Sequence, residues 1–178
     1  VPEGGAEGMI LTSGGRFAGY GFYLLEGRPV FLWNLLNLKR VKWEGAEALP
    51  PGRHTVEFDF KYDGLGAGTL AYNNMSGLGQ SGTGTLKVNG KVVDTKEMKR
   101  TLPIILQWDE AFDVGSDTLT GVNDEDYKPP FPLTAKLHKL TIKVDRPQLS
   151  EEEAKKLENK QAIAVDGNPI HHLQGGPH

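Results

Sequence analysis

The sequence has no cysteine among its 178 residues. That absence excludes a disulfide framework, any zinc or iron–sulfur site built on thiolates, and a cysteine nucleophile. Charge of one sign is also lacking: 20 Lys and Arg stand against 23 Asp and Glu, a net charge of −3. No basic stripe of the kind that tracks a phosphate backbone is present, so no nucleic-acid partner is expected. No apolar run reaches the roughly 18 residues of a membrane span, and no charged-then-apolar leader opens the chain, so no membrane partner is expected either. The first residue is Val1 rather than methionine, from which a processed or excised chain is the expectation. Histidine is sparse, and His54, His138, His171, His172 and His178 include no pair at the i, i+4 spacing of a helical zinc hydrolase.

What is present is glycine and proline, 23 and 11 residues, beside 7 Phe, 5 Tyr and 3 Trp that can fill a core. A chain of this length holds one domain, or one domain and a short appendage. Phe17 to Leu25 and Pro29 to Leu36 read as strands joined by a turn at Glu26-Gly27-Arg28, and Arg40 to Trp43 as a third strand. From Thr55 to Tyr62 alternation is strict, with Val56, Phe58, Phe60 and Tyr62 on one face and Glu57, Asp59 and Lys61 on the other. Asn89-Gly90 between alternating runs predicts a two-residue type I′ hairpin turn within Thr85–Asp94. Further strands are expected over 101–106 and 134–144, the second with a bulge near His138 to reconcile Ala135 and Leu137 with Leu140, Ile142 and Val144. Ser150-Glu-Glu-Glu153 is a capping box that opens a short helix to about residue 161, followed by a loose tail. The expected fold is all-β, an antiparallel β-sandwich or jelly roll over 1–149, with a short C-terminal helix and flexible tail over 150–178.

The motif search mostly excludes chemistry. Gly77-Leu-Gly-Gln-Ser-Gly82 matches a dinucleotide-binding spacing but precedes a strand instead of opening a helix, so it reads as a loop. The stretch from Asp109 to Tyr127 carries Asp109, Glu110, Asp113, Asp117, Asp124, Glu125 and Asp126 and no Lys or Arg. A glycosidase acid pair needs carboxyl groups about 5–5.5 Å or 6.5–9.5 Å apart. Asp109 and Asp113 would stand about 13 Å apart on an extended strand, which counts against it. A calcium site is a second reading, with Asp113, Asp117, Asp124 and Asp126 as candidate ligands, because hard cations take six to eight oxygens from such loops. Capping of turns by the same side chains is the third.

Both parities of Pro29–Leu36 are apolar, whereas a free-standing two-layer sandwich buries one face of each strand. The second face needs cover, either from the 64–84 loop or the terminal helix, or from a partner domain. Phe31, Trp33 and Leu35, with Trp108 and Tyr127, are the candidate ligand- or domain-facing side chains. A carbohydrate-binding module using Trp33, Trp43, Trp108 or Tyr127 as sugar platforms is the alternative, with core packing as the competing role for each.

Several runs, in order, resemble the C-terminal region of bacterial arylsulfatases. They are Gly15-Arg-Phe-Ala-Gly-Tyr-Gly-Phe-Tyr-Leu-Leu-Glu-Gly-Arg-Pro-Val-Phe31, Leu49-Pro-Pro-Gly-Arg-His-Thr-Val-Glu-Phe-Asp-Phe-Lys-Tyr-Asp-Gly64 and Gly82-Thr-Gly-Thr-Leu-Lys-Val-Asn-Gly90, then Trp108-Asp-Glu-Ala-Phe-Asp-Val-Gly-Ser-Asp-Thr118 and Tyr127-Lys-Pro-Pro-Phe-Pro-Leu-Thr-Ala-Lys-Leu137. The resemblance spans roughly residues 8–150 and implies a sulfuric ester hydrolase whose catalytic domain lies upstream, in the periplasm or outside a bacterial cell. It also implies that the formylglycine nucleophile and its calcium ligands belong to that upstream domain. The chain itself has no cysteine, and none of Ser13, Ser76, Ser81, Ser116 or Ser150 is followed two places on by proline, as the nucleophile motif requires.

Overall fold

The computed structural model describes residues 1–63, 81–101, 110–145 and 150–152, with positions 155 and 159. Its strands are β1 (Gly8–Gly14), β2 (Ala18–Leu25), β3 (Arg28–Leu35), β4 (Lys39–Glu44), β5 (Val56–Tyr62), β6 (Gly82–Val88), β7 (Lys91–Met98) and β8 (Phe112–Val114). They form two antiparallel sheets, one ordered β4-β3-β2-β1-β8 and the other β5-β6-β7. The protein is an all-β, sandwich-like fold.

Local chemistry sets most of these elements. The β2–β3 hairpin closes through Glu26 and Gly27, at φ 51° and 79°, and the β6–β7 hairpin through Asn89 and Gly90, at 51° and 78°. Both pairs of left-handed residues match the right-handed twist of the flanking strands. Asn89 also ties its turn to the entry of β5, because its Oδ1 accepts a hydrogen bond from Thr55 N at 2.9 Å. β5 alternates half-buried and exposed residues along its whole length, as its sequence requires. In β1 the pairing with β2 slips between Met9 and Leu11, a bulge that sends the two side chains to opposite faces of the sheet.

One face of the large sheet packs on the small sheet. Leu11, Phe22, Trp33 and Trp43 meet Leu86 and Met98, and Phe31 stacks on Phe58 with ring centroids 3.6 Å apart. Trp43 is fully buried and lies over Gly84, where an added Cβ would stand 2.5 Å from its ring. Its indole N–H has no hydrogen-bond partner among the described residues, a cost that the surrounding apolar burial must exceed. Fully burying one such side chain contributes about 1.5–3 kcal/mol.

The other face of the same sheet is buried as well. Met9, Tyr23, Val30 and Leu32 pack against Val122 and Tyr127, with Phe131 beside them. The apolar excess of β3 is thus explained inside the chain: among the described residues the second face is covered by the segment 117–131, while 64–80 of the glycine-rich connection and most of the expected helix lie outside the described residues. Phe31, Trp33 and Leu35, expected to face a ligand or partner, lie in the inter-sheet cluster instead.

Two other expectations change. Residues 134–144 form no strand, and no bulge occurs near His138. Thr134 is tied to Glu7 by its N–H at 2.7 Å, but beyond it only Ala135 and Leu140 reach apolar clusters. Leu137, Ile142 and Val144 stay exposed, because the opposed parities along this stretch leave no single face to bury. Thr101 is buried outside any strand, and 102–106 lie outside the described residues, as do the 64–80 part of the glycine-rich connection, most of the expected helix, and the tail.

Gly84→Val should lower stability by about 1–3 kcal/mol, by forcing the Trp43 ring out of its seat. A urea unfolding curve with a lower midpoint and unchanged slope is the expected readout.

Candidate functional site

The segment over the second face is an acidic strap, residues 117–131, and its carboxylates are what fasten it. A turn at Asn123 sets their directions: its carbonyl accepts from Asp126 N and Tyr127 N at 3.2 and 3.3 Å, and its Oδ1 from Glu125 N at 3.3 Å. The strap then lies along β1, with Met9 N donating to Phe131 O at 3.0 Å and Phe131 N to Asp117 O at 3.1 Å. Gly21 in β2 makes room for it, since an added Cβ there would stand 2.8 Å from Val122.

Two buried tyrosine–aspartate pairs form the inner row. Tyr23 OH donates to Asp126 Oδ2, and Lys42 Nζ reaches Asp126 Oδ1 at 3.1 Å. Tyr127 OH donates to Asp117 Oδ2 and accepts from Val122 N at 3.1 Å. The tyrosine rings pack against each other at 5.4 Å. The outer row is ionic: Arg16 Nε meets Asp124 Oδ2 at 2.9 Å, and Arg40 meets Glu125 at 3.7 Å. Lys42 continues to Glu44 at 3.5 Å and Glu44 to Arg28 at 3.1 Å, so a chain of ion pairs runs from the strap through β4 to the first residue of β3. Outer-row pairs that face water contribute about 0–1 kcal/mol each, so the inner row does more to hold the strap.

Burial is the largest cause of the shifts in this row. It raises the Asp117 carboxyl above the ordinary carboxylate value, against the lowering effect of the Tyr127 hydroxyl and the Leu119 N–H, with Asp113 and Glu110 adding repulsion. Burial followed by the adjoining carboxylate raises both Tyr23 and Tyr127, so each stays a protonated donor.

The candidate calcium ligands are divided among separate partners. Asp113 caps the turn at Thr118, accepting its N–H at 3.2 Å and its hydroxyl at 2.7 Å. Asp117 is held by Tyr127, Asp124 by Arg16, and Asp126 by Tyr23 and Lys42. Among the described residues no group of three or more His, Cys, Asp or Glu could hold a metal ion. The candidate sugar platforms Trp33, Trp43 and Tyr127 are 8%, 0% and 6% exposed, which seats them in the core, while Trp108 lies outside the described residues. A depression of about 350 Å³, open to solvent, is bordered by Gly4, Glu7, Glu26, Gly27, Leu49 and Thr134 and has no aromatic wall. No helix among the described residues is long and apolar enough to cross a membrane, which says nothing of a β-barrel.

Tyr23 and Lys42 were missed by sequence reasoning, although a signal existed. The absence of Lys and Arg from a carboxylate-rich stretch points to cations on other elements, of which Lys42 is one, whereas nothing local to Tyr23 marks it as a partner.

Asp117 should make stability depend on pH with a definite sign. Its folded value is raised, so its contribution is complete below the ordinary 3.8 and is lost as pH rises through the folded value. Relative to wild type, Asp117→Asn should therefore gain stability between pH 4 and pH 7, as read from urea midpoints. Tyr127→Phe, which leaves the buried carboxylate without its hydroxyl donor, should cost about 1–3 kcal/mol at neutral pH. In an alkaline titration followed at tyrosinate absorbance, Tyr23 and Tyr127 should stay silent while the fold persists and ionise only with unfolding. A Tyr23→Phe, Tyr127→Phe double variant should lack that late step.

No family model, curated protein or solved structure matches this chain.

Proposed function

We propose that the chain is the non-catalytic C-terminal β-sandwich of an arylsulfatase-like sulfuric ester hydrolase, and that it packs against a separate catalytic domain. The observation that carries this reading is where the family-like runs fall. Gly15–Phe31 contains β2 and the β2–β3 turn, Leu49–Asp63 contains β5, and Gly82–Gly90 is β6 with its turn. The described part of the fourth run, from Glu110 to Thr118, holds β8 and Asp117, and the fifth run, Tyr127–Leu137, begins at the strap's inner row. The resemblance thus follows the parts that build and close the sandwich, as expected of a scaffold and not of a reaction centre.

The chemistry of the strap supports the same reading. Asp113, Asp117, Asp124 and Asp126 are each engaged by a tyrosine, threonine, arginine or lysine that positions the segment. These four serve the fold, and sulfate-ester cleavage on this reading belongs to the upstream domain.

Purified chain incubated with 4-nitrophenyl sulfate and millimolar calcium should release no nitrophenol. The reading frame upstream of Val1 should continue into a Cys/Ser-x-Pro-x-Arg motif. Metal-dependent release of the phenol by the chain alone, or an upstream frame without that motif, would defeat the proposal.

A further inference from the structure

Beyond Thr134 the chain leaves the sandwich in an unusual way. Thr134 is fixed by its N–H to Glu7 O at 2.7 Å and by its Oγ1, which accepts from Glu7 N at 2.8 Å. From 136 to 145 the backbone then runs without a turn or bend, and among the described residues no hydrogen bond ties it to any element. Leu140 alone in that stretch packs on the inter-sheet cluster, while Leu137, Ile142 and Val144 are 38%, 57% and 84% exposed. A row of water-exposed backbone donors and acceptors beside exposed β-branched side chains is what a strand edge presents before another strand pairs with it.

The side chains indicate what kind of strand would fit. From residue 139 onward alternation is regular: Lys139, Thr141 and Lys143 share one parity, and Leu140, Ile142 and Val144 the other. Lys136, Lys139 and Lys143 have no ion pair among the described residues, and Asp145 is the only carboxylate of the stretch. Opposite charges placed across a strand pair favour pairing and like charges oppose it. A neighbour that alternates acidic and apolar side chains therefore meets both faces at once, carboxylates beside the lysines and apolar groups beside Leu140, Ile142 and Val144.

We propose that residues 136–144 are a strand-addition edge for an extended peptide segment that alternates acidic and apolar residues. Main-chain hydrogen bonds would give the affinity and the Lys139, Lys143 pair the choice of partner. This inference stands apart from the arylsulfatase reading, because it uses only the unpaired backbone and the charge pattern of the segment.

The test uses the full chain with two capped decapeptides as probes, one alternating Glu and Val and one alternating Lys and Val. The Glu–Val peptide should slow amide exchange across 137–144 at least tenfold. The double variant Lys139→Glu, Lys143→Glu should bind that peptide at least tenfold more weakly and gain binding of the Lys–Val peptide. That exchange of preference is not what loss of a merely structural contact would produce. Thr141→Pro should remove the slowed exchange while leaving the thermal melt within 2 °C, on the order expected for an exposed substitution. Three results overturn the proposal. One is slow exchange of 137–144 in the chain alone, which would mean the segment pairs within its own fold or, if it appears only on concentration, with a second copy. Another is an equal response to both peptides. The third is no response at millimolar peptide.

Discussion

The five-stranded sheet carries apolar side chains on both faces, and that single fact forces the rest of the architecture. Val30 and Leu32 point one way from β3, Phe31 and Trp33 the other, and neither set can be left to water without losing about 1.5–3 kcal/mol for each large side chain. A second sheet answers for one face. Its three strands reach only part of the way across, since β5, β6 and β7 set against five strands leave Phe112 and Val114 of β8 exposed. The other face is answered by a segment with almost no regular structure of its own.

A strap without strands cannot rely on a ladder of backbone hydrogen bonds, so its attachment has to come from side chains. The acidic residues do this in two ways. Near the core, Asp117 and Asp126 accept hydrogen bonds from the hydroxyls of tyrosines whose rings are themselves part of the packing, so one residue closes both an apolar and a polar contact. At the rim, Asp124 pairs with Arg16 and Glu125 with Arg40, each pair having at least one member exposed to solvent, where the energy is small and the direction is what matters. The same carboxylates that resemble a cation site in the sequence are, in the fold, the polar ends of an apolar cover.

The parts that could be read from the sequence are those whose cause is local. β5 follows from strict alternation, the β6–β7 turn from Asn89-Gly90, and the β2–β3 hairpin from two aromatic-rich runs around Glu26-Gly27. β1 shows only Met9-Ile10-Leu11 as an apolar run, and its bulge breaks the alternation that would have announced it. β8 is three residues long and embedded in the acidic stretch, too short for any period to show. The segment 134–144 has the opposite fault: strand-like residues, but no neighbour with backbone groups in register among the described residues. The double burial of β3 was readable as a need for cover. Which segment supplies it was not, because Tyr23 meets Asp126 across 103 positions and Arg16 meets Asp124 across 108.

Those separations also bear on how the chain reaches this state. Contacts between distant positions form late, because the loop-closure entropy must be spent before the contact returns anything. During synthesis β1 to β4 emerge and can pair while the strap is still unmade, so Met9, Tyr23, Val30 and Leu32 form an exposed apolar face for as long as it takes to add the stretch from residue 45 to residue 131. At roughly 5–20 residues per second this is an interval of several seconds or more. The strap is among the last sections of the core to arrive, followed only by the contacts of Leu133, Ala135 and Leu140 among the described residues, and a sheet that is correctly paired but half-covered is the species in which apolar surface stays open to other chains.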